Sequence, residues 1–184
     1  MNIDQSWTLI EKTLKSKFPS VEATLNSGAS LEKLDELEAL VGQPLPADFR
    51  ASLLRHDGQF DPTRQLDLIN FNRLLTVDEM IQEWRMFQEL FIDFDEIEWL
   101  TPIKIKNLVW SPGWIKFTDA DGSGFVVDLD PAASGVSGQV FYRQNSEVET
   151  ETWADSYSEF LSRLATLLDR GEYELVHGCP YVDI

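Results

Sequence analysis

The chain has 184 residues, 43% hydrophobic and 26% charged, a globular composition that argues against disorder. Its 32 acids against 15 lysines and arginines leave a formal net charge of −17, which argues against nucleic acid as a direct partner, because that contact draws on surplus Lys and Arg. No apolar run reaches the roughly 18 residues of a membrane span, MNIDQSWTLIEKTLKSKF lacks the order of a signal peptide, and Cys179 stands alone. The expectation is one cytoplasmic domain, residues 1–184, without an internal disulfide.

From Ser6 to Phe18 the residues Trp7, Ile10, Leu14 and Phe18 recur at helical spacing and Pro19 stops the pattern, so this helix packs on the domain. After the polar stretch Asn26-Ser27-Gly28, Ser30 caps a second helix with Leu31, Leu34, Leu37 and Val41 on one face and Gly42 at its end. Pro46 suits the first position of a third helix, which buries Phe49, Leu53 and Leu54 and ends at Gly58. The runs 66–69 and 71–75 read as short strands with imperfect alternation. Thr76-Val77-Asp78-Glu79 is a capping box, opening a helix with Met80, Trp84, Phe87 and Phe91 inward.

From about Trp99 to Arg143 strand-like runs at 107–110, 114–117, 125–129 and 139–142 alternate with the turn signals Pro112-Gly113, Asp121-Gly122 and 134–138. This is an antiparallel meander. A second capping box, Ser156 to Glu159, starts a helix burying Tyr157, Phe160, Leu161, Leu164, Leu167 and Leu168 and stopping at Gly171. Helices, then a sheet, then a helix give an α+β domain with a central, mostly antiparallel sheet flanked by helices.

The acid is unevenly placed: from Asp119 to Glu159 nine carboxylates face one base, Arg143, and from Asp78 to Glu98 eight acids face Arg85 alone. A solvated, solubilising surface is one reading and a face that steers in a basic partner is the other. Residues 119–130, DADGSGFVVDLD, match EF-hand spacing at Asp119, Asp121, Ser123, Gly124 and Asp130. The flanks do not: a calcium loop needs a helix on each side, whereas Pro112-Gly113 leads into a strand and Pro131 follows Asp130 at once. A hairpin turn at Asp121-Gly122-Ser123-Gly124 accounts for the same residues without a metal.

Catalytic signatures are weak. His177 and Cys179 fall short of four zinc ligands, Gly135-Val136-Ser137-Gly138 is not a nucleophile elbow, and neither a P-loop nor a dinucleotide fingerprint occurs. His56 reads as a helix-end residue facing terminal carbonyls. A glycosidase groove lined by carboxylates with Trp99, Trp110, Trp114 and Trp153 is the enzyme hardest to set aside, yet core packing explains most tryptophans at these spacings. No catalytic residue, metal or cofactor is therefore expected.

Leu45-Pro46 opening a helix with Phe49, Asp57-Gly58, Trp114 before an acidic glycine turn, Asp128-Leu129-Asp130-Pro131, Gly138-Gln139-Val140 and the helix around Phe160-Leu161 follow one another in an order that resembles the SUKH superfamily, over roughly residues 31–171. Lys116, where the family often has proline, and Phe125, where a polar residue is common, depart from its pattern. The resemblance implies an α+β fold without known enzymatic activity. It further implies either an immunity protein, which neutralises a toxin by contact, or a regulatory scaffold of the fungal Smi/Knr cell-wall type. The leading expectation is immunity against a basic toxin such as a nuclease, with the scaffold as alternative and a calcium- or sugar-binding module third. The candidate contact residues are Trp114, Asp119, Asp121, Asp128, Glu147, Glu149, Glu151 and Trp153, aromatic anchors ringed by acid whose partner is a protein, not nucleic acid or a membrane.

Overall fold

A computed structural model describes residues 1–61, 65–91, 96–97, 101–144 and 151–182. Helix α1 (Ile3–Lys17) begins at a reciprocal cap in which Asn2 Oδ1 accepts from the Gln5 N–H at 2.9 Å and Gln5 Oε1 from the Asn2 N–H at 3.1 Å. It buries Trp7, Ile10 and Leu14 and ends with Lys15 and Lys17 in the last turn, where cations suit the helix dipole. A single turn, α2 (Pro19–Glu22), follows at once. Helix α3 (Leu31–Val41) runs from the Ser30 cap to left-handed Gly42, and α4 (Ala47–Arg55) starts one residue after Pro46. Leu34, Leu37, Phe49 and Leu53 are inside as expected. Leu31 and Leu54 are 60% and 42% exposed instead, because these short helices bury one narrow stripe and their ends escape it.

The segment before α3 pairs with the end of α4, Asn26 N–H to Gly58 O at 3.0 Å and Ala29 N–H to Leu53 O at 2.9 Å. Gly58 has φ +68°, and a Cβ there would meet the Leu75 carbonyl carbon at 2.5 Å, so only glycine lets these chains cross. Its neighbour Asp57 accepts the Val77 N–H at 2.7 Å and so helps cap α5 (Val77–Leu90), whose Thr76–Glu79 box forms as expected. Between them lies strand β1 (Arg73–Leu74), which is all the strand that 66–75 provides; Leu68 and Ile69 are buried without being in a strand. Likewise 107–110 is no strand but a single bridge from Leu108 to Glu96.

Strands β2 (Trp114–Lys116), β4 (Gly124–Asp128) and β5 (Gln139–Arg143) form an antiparallel sheet with β4 central, while β3 (Thr118–Asp119) pairs with β1. Helix α6 (Tyr157–Arg170) follows and stops at left-handed Gly171. Ser156 caps it as expected, its Oγ accepting the Glu159 N–H at 3.1 Å, but the Glu159 carboxylate accepts from the Asp155 N–H rather than from Ser156, so the box is not closed reciprocally. A last hairpin, β6 (Glu174–Val176) with β7 (Cys179–Tyr181), has no counterpart in the sequence reading.

The registers Ile115↔Val127 and Val127↔Val140 put these side chains on one face, in the main core with α1, α4 and α6. There Phe117 meets the rings of Phe49, Phe125, Tyr157 and Phe160, and α1 lies along α6. A buried polar chain also crosses this core: Trp7 Nε1 donates to Ser52 Oγ at 2.8 Å and Ser52 Oγ to the Tyr157 hydroxyl at 3.0 Å. Burial pushes the Tyr157 hydroxyl up to about 12, so it stays a neutral donor or acceptor. The opposite sheet face carries Trp114, Val126 and Phe141, covered by Ile105 and Leu108, and α5 packs on β2.

Candidate protein-contact site

The second face of the sheet holds most of the unusual chemistry. Strand alternation turns Lys116 inward beside Val126, where its side chain is 3% exposed. A buried ammonium needs partners, and Nζ finds Glu83 Oε2 at 2.8 Å, Asp119 Oδ1 at 2.7 Å and the Gly122 carbonyl at 3.3 Å. The Arg143 guanidinium, on the same face, lies 4.6 Å from the centre of the Phe87 ring. Burial pushes the Arg143 pKa down, with Glu83 opposing. In the sequence Lys116 registered only as a departure from a family proline. The signal was there: one lysine inside an apolar run, three residues before Asp119.

The acidic turn is a hairpin. Ala120 and Ser123 exchange backbone hydrogen bonds at 2.8 and 3.1 Å around Asp121 (φ 50°) and Gly122 (φ 91°). Asp119 also accepts the Gly122 N–H at 3.2 Å. Asp130 sits beyond the five residues of β4, roughly 17 Å of extended chain away, and is engaged by Lys106 at 2.5 Å and Ser111 at 3.1 Å. The oxygens of the EF-hand spacing do not converge.

The candidate contact residues separate into three groups. Asp119 and Asp121 stand at the turn, Glu151 is exposed, and half-buried Trp153 packs edge-on against Phe125 at 5.1 Å. Glu147 and Glu149, like Trp99, lie outside the described residues. Trp114 and Asp128 are corrected: Trp114 is 5% exposed against Phe141, and Asp128 is fully buried, so neither offers a surface contact. Both point to the second sheet face, which is covered and therefore has no solvent side.

Asp128 accepts the Asp130 N–H at 2.9 Å and Gln139 Nε2 at 2.8 Å; Gln139 in turn donates to Lys104 O and accepts the Val136 N–H. Burial nonetheless raises its pKa to about 6, with these hydrogen bonds opposing. A folded pKa above the unfolded one favours the protonated form, so its stabilising contribution is complete below the unfolded value near 3.8 and is lost as pH rises through about 6. In urea titrations, the stability of the native sequence relative to Asp128→Asn should therefore rise as pH falls from about 7 to about 4. Parallel curves for the two proteins would contradict this.

The two histidines serve structure. His56 closes α4 with its ring nitrogens 2.8 Å from Asn26 O and 2.8 Å from Glu11, and its ring lies 4.6 Å from that of Trp7. His177 (φ 52°) and Gly178 (φ 84°) make the β6–β7 turn, while the buried Cys179 thiol donates to Gln65 O at 3.3 Å and is pushed up in pKa by that burial.

Two cavities meet at β1 and β3, a feature sequence reasoning missed. One of about 240 Å³ is lined by Asp67, Phe71, Arg73 and Asp119 to Asp121. The other, about 430 Å³, is lined by Arg73, Leu75, Glu79, Gln82, Glu83, Met86 and Asp119. Glu79 engages the Arg73 fork at 3.0 and 2.9 Å, as Glu83 and Asp119 engage Lys116. Five carboxylates here (Asp67, Glu79, Glu83, Asp119, Asp121) face two already committed cations. The field at this surface is negative.

Among the described residues no helix is long and apolar enough to cross a membrane. The family model described as the SMI1 / KNR4 family (SUKH-1) matches residues 28–163. The chain is 25% identical to a "Glucan synthesis regulatory protein" of Neurospora crassa, over 93% of this chain and 39% of that protein. It is 24% identical to the "Cell wall biosynthesis/cell cycle regulator smi1" of Schizosaccharomyces pombe, over 99% of this chain and 42% of that one. A shorter likeness, 39% over 57 residues, links it to human "F-box only protein 3", covering 31% of this chain and 12% of that protein. The chain spans about two fifths of the length of the curated regulators that it matches nearly throughout. The motif order read along the sequence is thus matched by a family model over most of the α+β fold: the chain belongs to the SMI1 / KNR4 family (SUKH-1).

Proposed function

We propose that this chain is a regulatory protein-binding domain, residues 1–184 acting as one unit, that works by contact rather than catalysis. The observation that carries the reading is the extent of the likeness to proteins named as regulators of glucan synthesis and of cell wall biosynthesis, 93% and 99% of this chain. Its partner is an endogenous protein with a basic face, drawn in by the negative surface around β1 and β3 and by exposed Glu151. Complementary charge of this kind raises the rate of encounter more than the final affinity. Neutralisation of a toxin, the first expectation from the sequence, is supported at the level of the SUKH family, whereas two of the relatives aligned along the chain carry regulators' names.

The test is affinity capture of the tagged chain from its own cells, followed by stopped-flow association with whatever protein is retained in stoichiometric amount. The combined change Asp119→Asn, Asp121→Asn and Glu151→Gln should slow association about tenfold at low salt and flatten its salt dependence. Unaltered kinetics would remove the electrostatic part. A secreted toxin as the retained protein would replace regulation with immunity, and no retained protein would defeat the binding reading.

A further inference from the structure

The smaller cavity at β1 and β3 has an aromatic rim that the charge argument does not use. Phe71 is 49% exposed and holds φ 63°, an uncommon conformation for a bulky residue. Its ring lies 5.5 Å from that of Tyr181, which is 39% exposed. The two rings are brought together by the β6–β7 hairpin. Asn70 clamps that hairpin, donating from Nδ2 to Val182 O at 2.6 Å and accepting the Val182 N–H at 2.8 Å. Phe71, with the Tyr181 ring beside it, thus lines a cavity together with Asp67, Asp119 and Asp121, and Arg73 is tied back to Glu79.

We propose that this notch takes an arginine side chain from an exposed segment of a partner protein, the guanidinium lying along the Phe71 and Tyr181 rings and facing the Asp67, Asp119 and Asp121 carboxylates. The proposal rests on the protein-contact reading above and names the site of contact. At about 240 Å³ the cavity is smaller than the roughly 300 Å³ at which small-molecule pockets begin, so it suits one long side chain better than a metabolite. Arginine fits better than lysine because a planar guanidinium stacks on aromatic rings and pairs with carboxylates through a fork, whereas an ammonium is a strongly hydrated point charge. The site already favours a cation: burial, and then Asp61, Asp119 and Asp121, raise the Asp67 carboxyl, with Arg73 alone opposing. An incoming guanidinium offsets the crowding of like charge and, by pairing with the carboxylate, the cost of keeping it ionised in a half-buried place.

The full chain would be titrated at low salt with acetyl-Gly-Arg-Gly-amide and with its lysine and citrulline counterparts, following amide signals by nuclear magnetic resonance. The expected result is saturable movement of the signals of Phe71, Ala120, Asp121 and Tyr181 with the arginine peptide, several-fold weaker binding of the lysine peptide and none of the citrulline peptide, which keeps the shape without the charge. Phe71→Asn removes the ring while tolerating the left-handed backbone, and should weaken binding about tenfold in a folded protein; Asp67→Asn should do likewise. Shifts equal for arginine and lysine and spread over the acidic surface, no shifts, or indifference to Phe71→Asn would each overturn the proposal. If Phe71→Asn still captures the cellular partner at native strength, the notch falls and the regulatory reading stands. If the arginine peptide binds yet no partner is captured, the regulatory reading falls and the notch stands.

Discussion

Phe117→Ala should lower the free energy of unfolding by about 3–5 kcal/mol, read as a shift of the urea midpoint with an unchanged slope. Phe117 is 1% exposed and its ring touches four others, Phe49 from α4, Phe125 from β4, and Tyr157 and Phe160 from α6, at 5.3–6.2 Å between centroids. One truncation therefore opens a void that sheet and both helices line, and each would have to move inward to close it. The backbone is not the cause of the loss. Its N–H to Phe125 O and its C=O from Leu75 N–H, both 2.9 Å, are available to alanine as well. The matched control is Phe60→Ala: that ring is 71% exposed, and the change should stay within about 0.5 kcal/mol. Equal losses at the two positions would show that the aromatic cluster is not what joins the helices to the sheet.

Lys116→Met should cost about 3 kcal/mol, for an electrostatic reason. Methionine fills much of the same space, so packing is nearly conserved, but Glu83 and Asp119 are left facing each other without the ammonium between them. Their side chains are each 25% exposed, so water relieves part of the repulsion and the loss falls at the low end for a broken buried pair. The triple change Lys116→Met, Glu83→Gln and Asp119→Asn should recover most of the loss in the same denaturation assay, since a neutral cluster carries no orphaned charge. A triple variant as unstable as Lys116→Met would mean that the lysine acts through its packing.

What was legible in the sequence follows from how local each cause is. Thr76 and Glu79, Ser30 with Gly42, and Ser156 with Gly171 mark helix ends through contacts within a turn, and all three helices form there. The Asp121-Gly122 hairpin is equally local. The β6–β7 hairpin was missed because Pro180 interrupts its second strand and Glu174-Leu175-Val176 is too short to show alternation. Trp114 and Asp128 were misjudged for a different reason. Alternation along a strand tells which residues share a face, but both faces of this sheet are covered, and a buried second face looks like an exposed one until its cover is known. The cavities at β1 and β3 join Asp67, Arg73 and Asp121, residues more than fifty positions apart at the extremes, which no short-range pattern links.

The pairing of α1 with α6 has a bearing on how the chain is made. The helix at residues 3–17 leaves the ribosome well before residues 157–170, which supply the largest part of the surface that receives it. Until those have been synthesised, α1 has chiefly α2 and α4 to pack on, with Trp7 against Ser52 and His56, and the aromatic cluster lacks Tyr157 and Phe160. A nascent chain stalled before α6 thus carries an amphipathic helix with part of its apolar side in water, the form that chaperones hold and proteases clear. Completion of this fold is tied to translation past residue 170, so a stop codon before α6 leaves α1 and the aromatic cluster without their main partner.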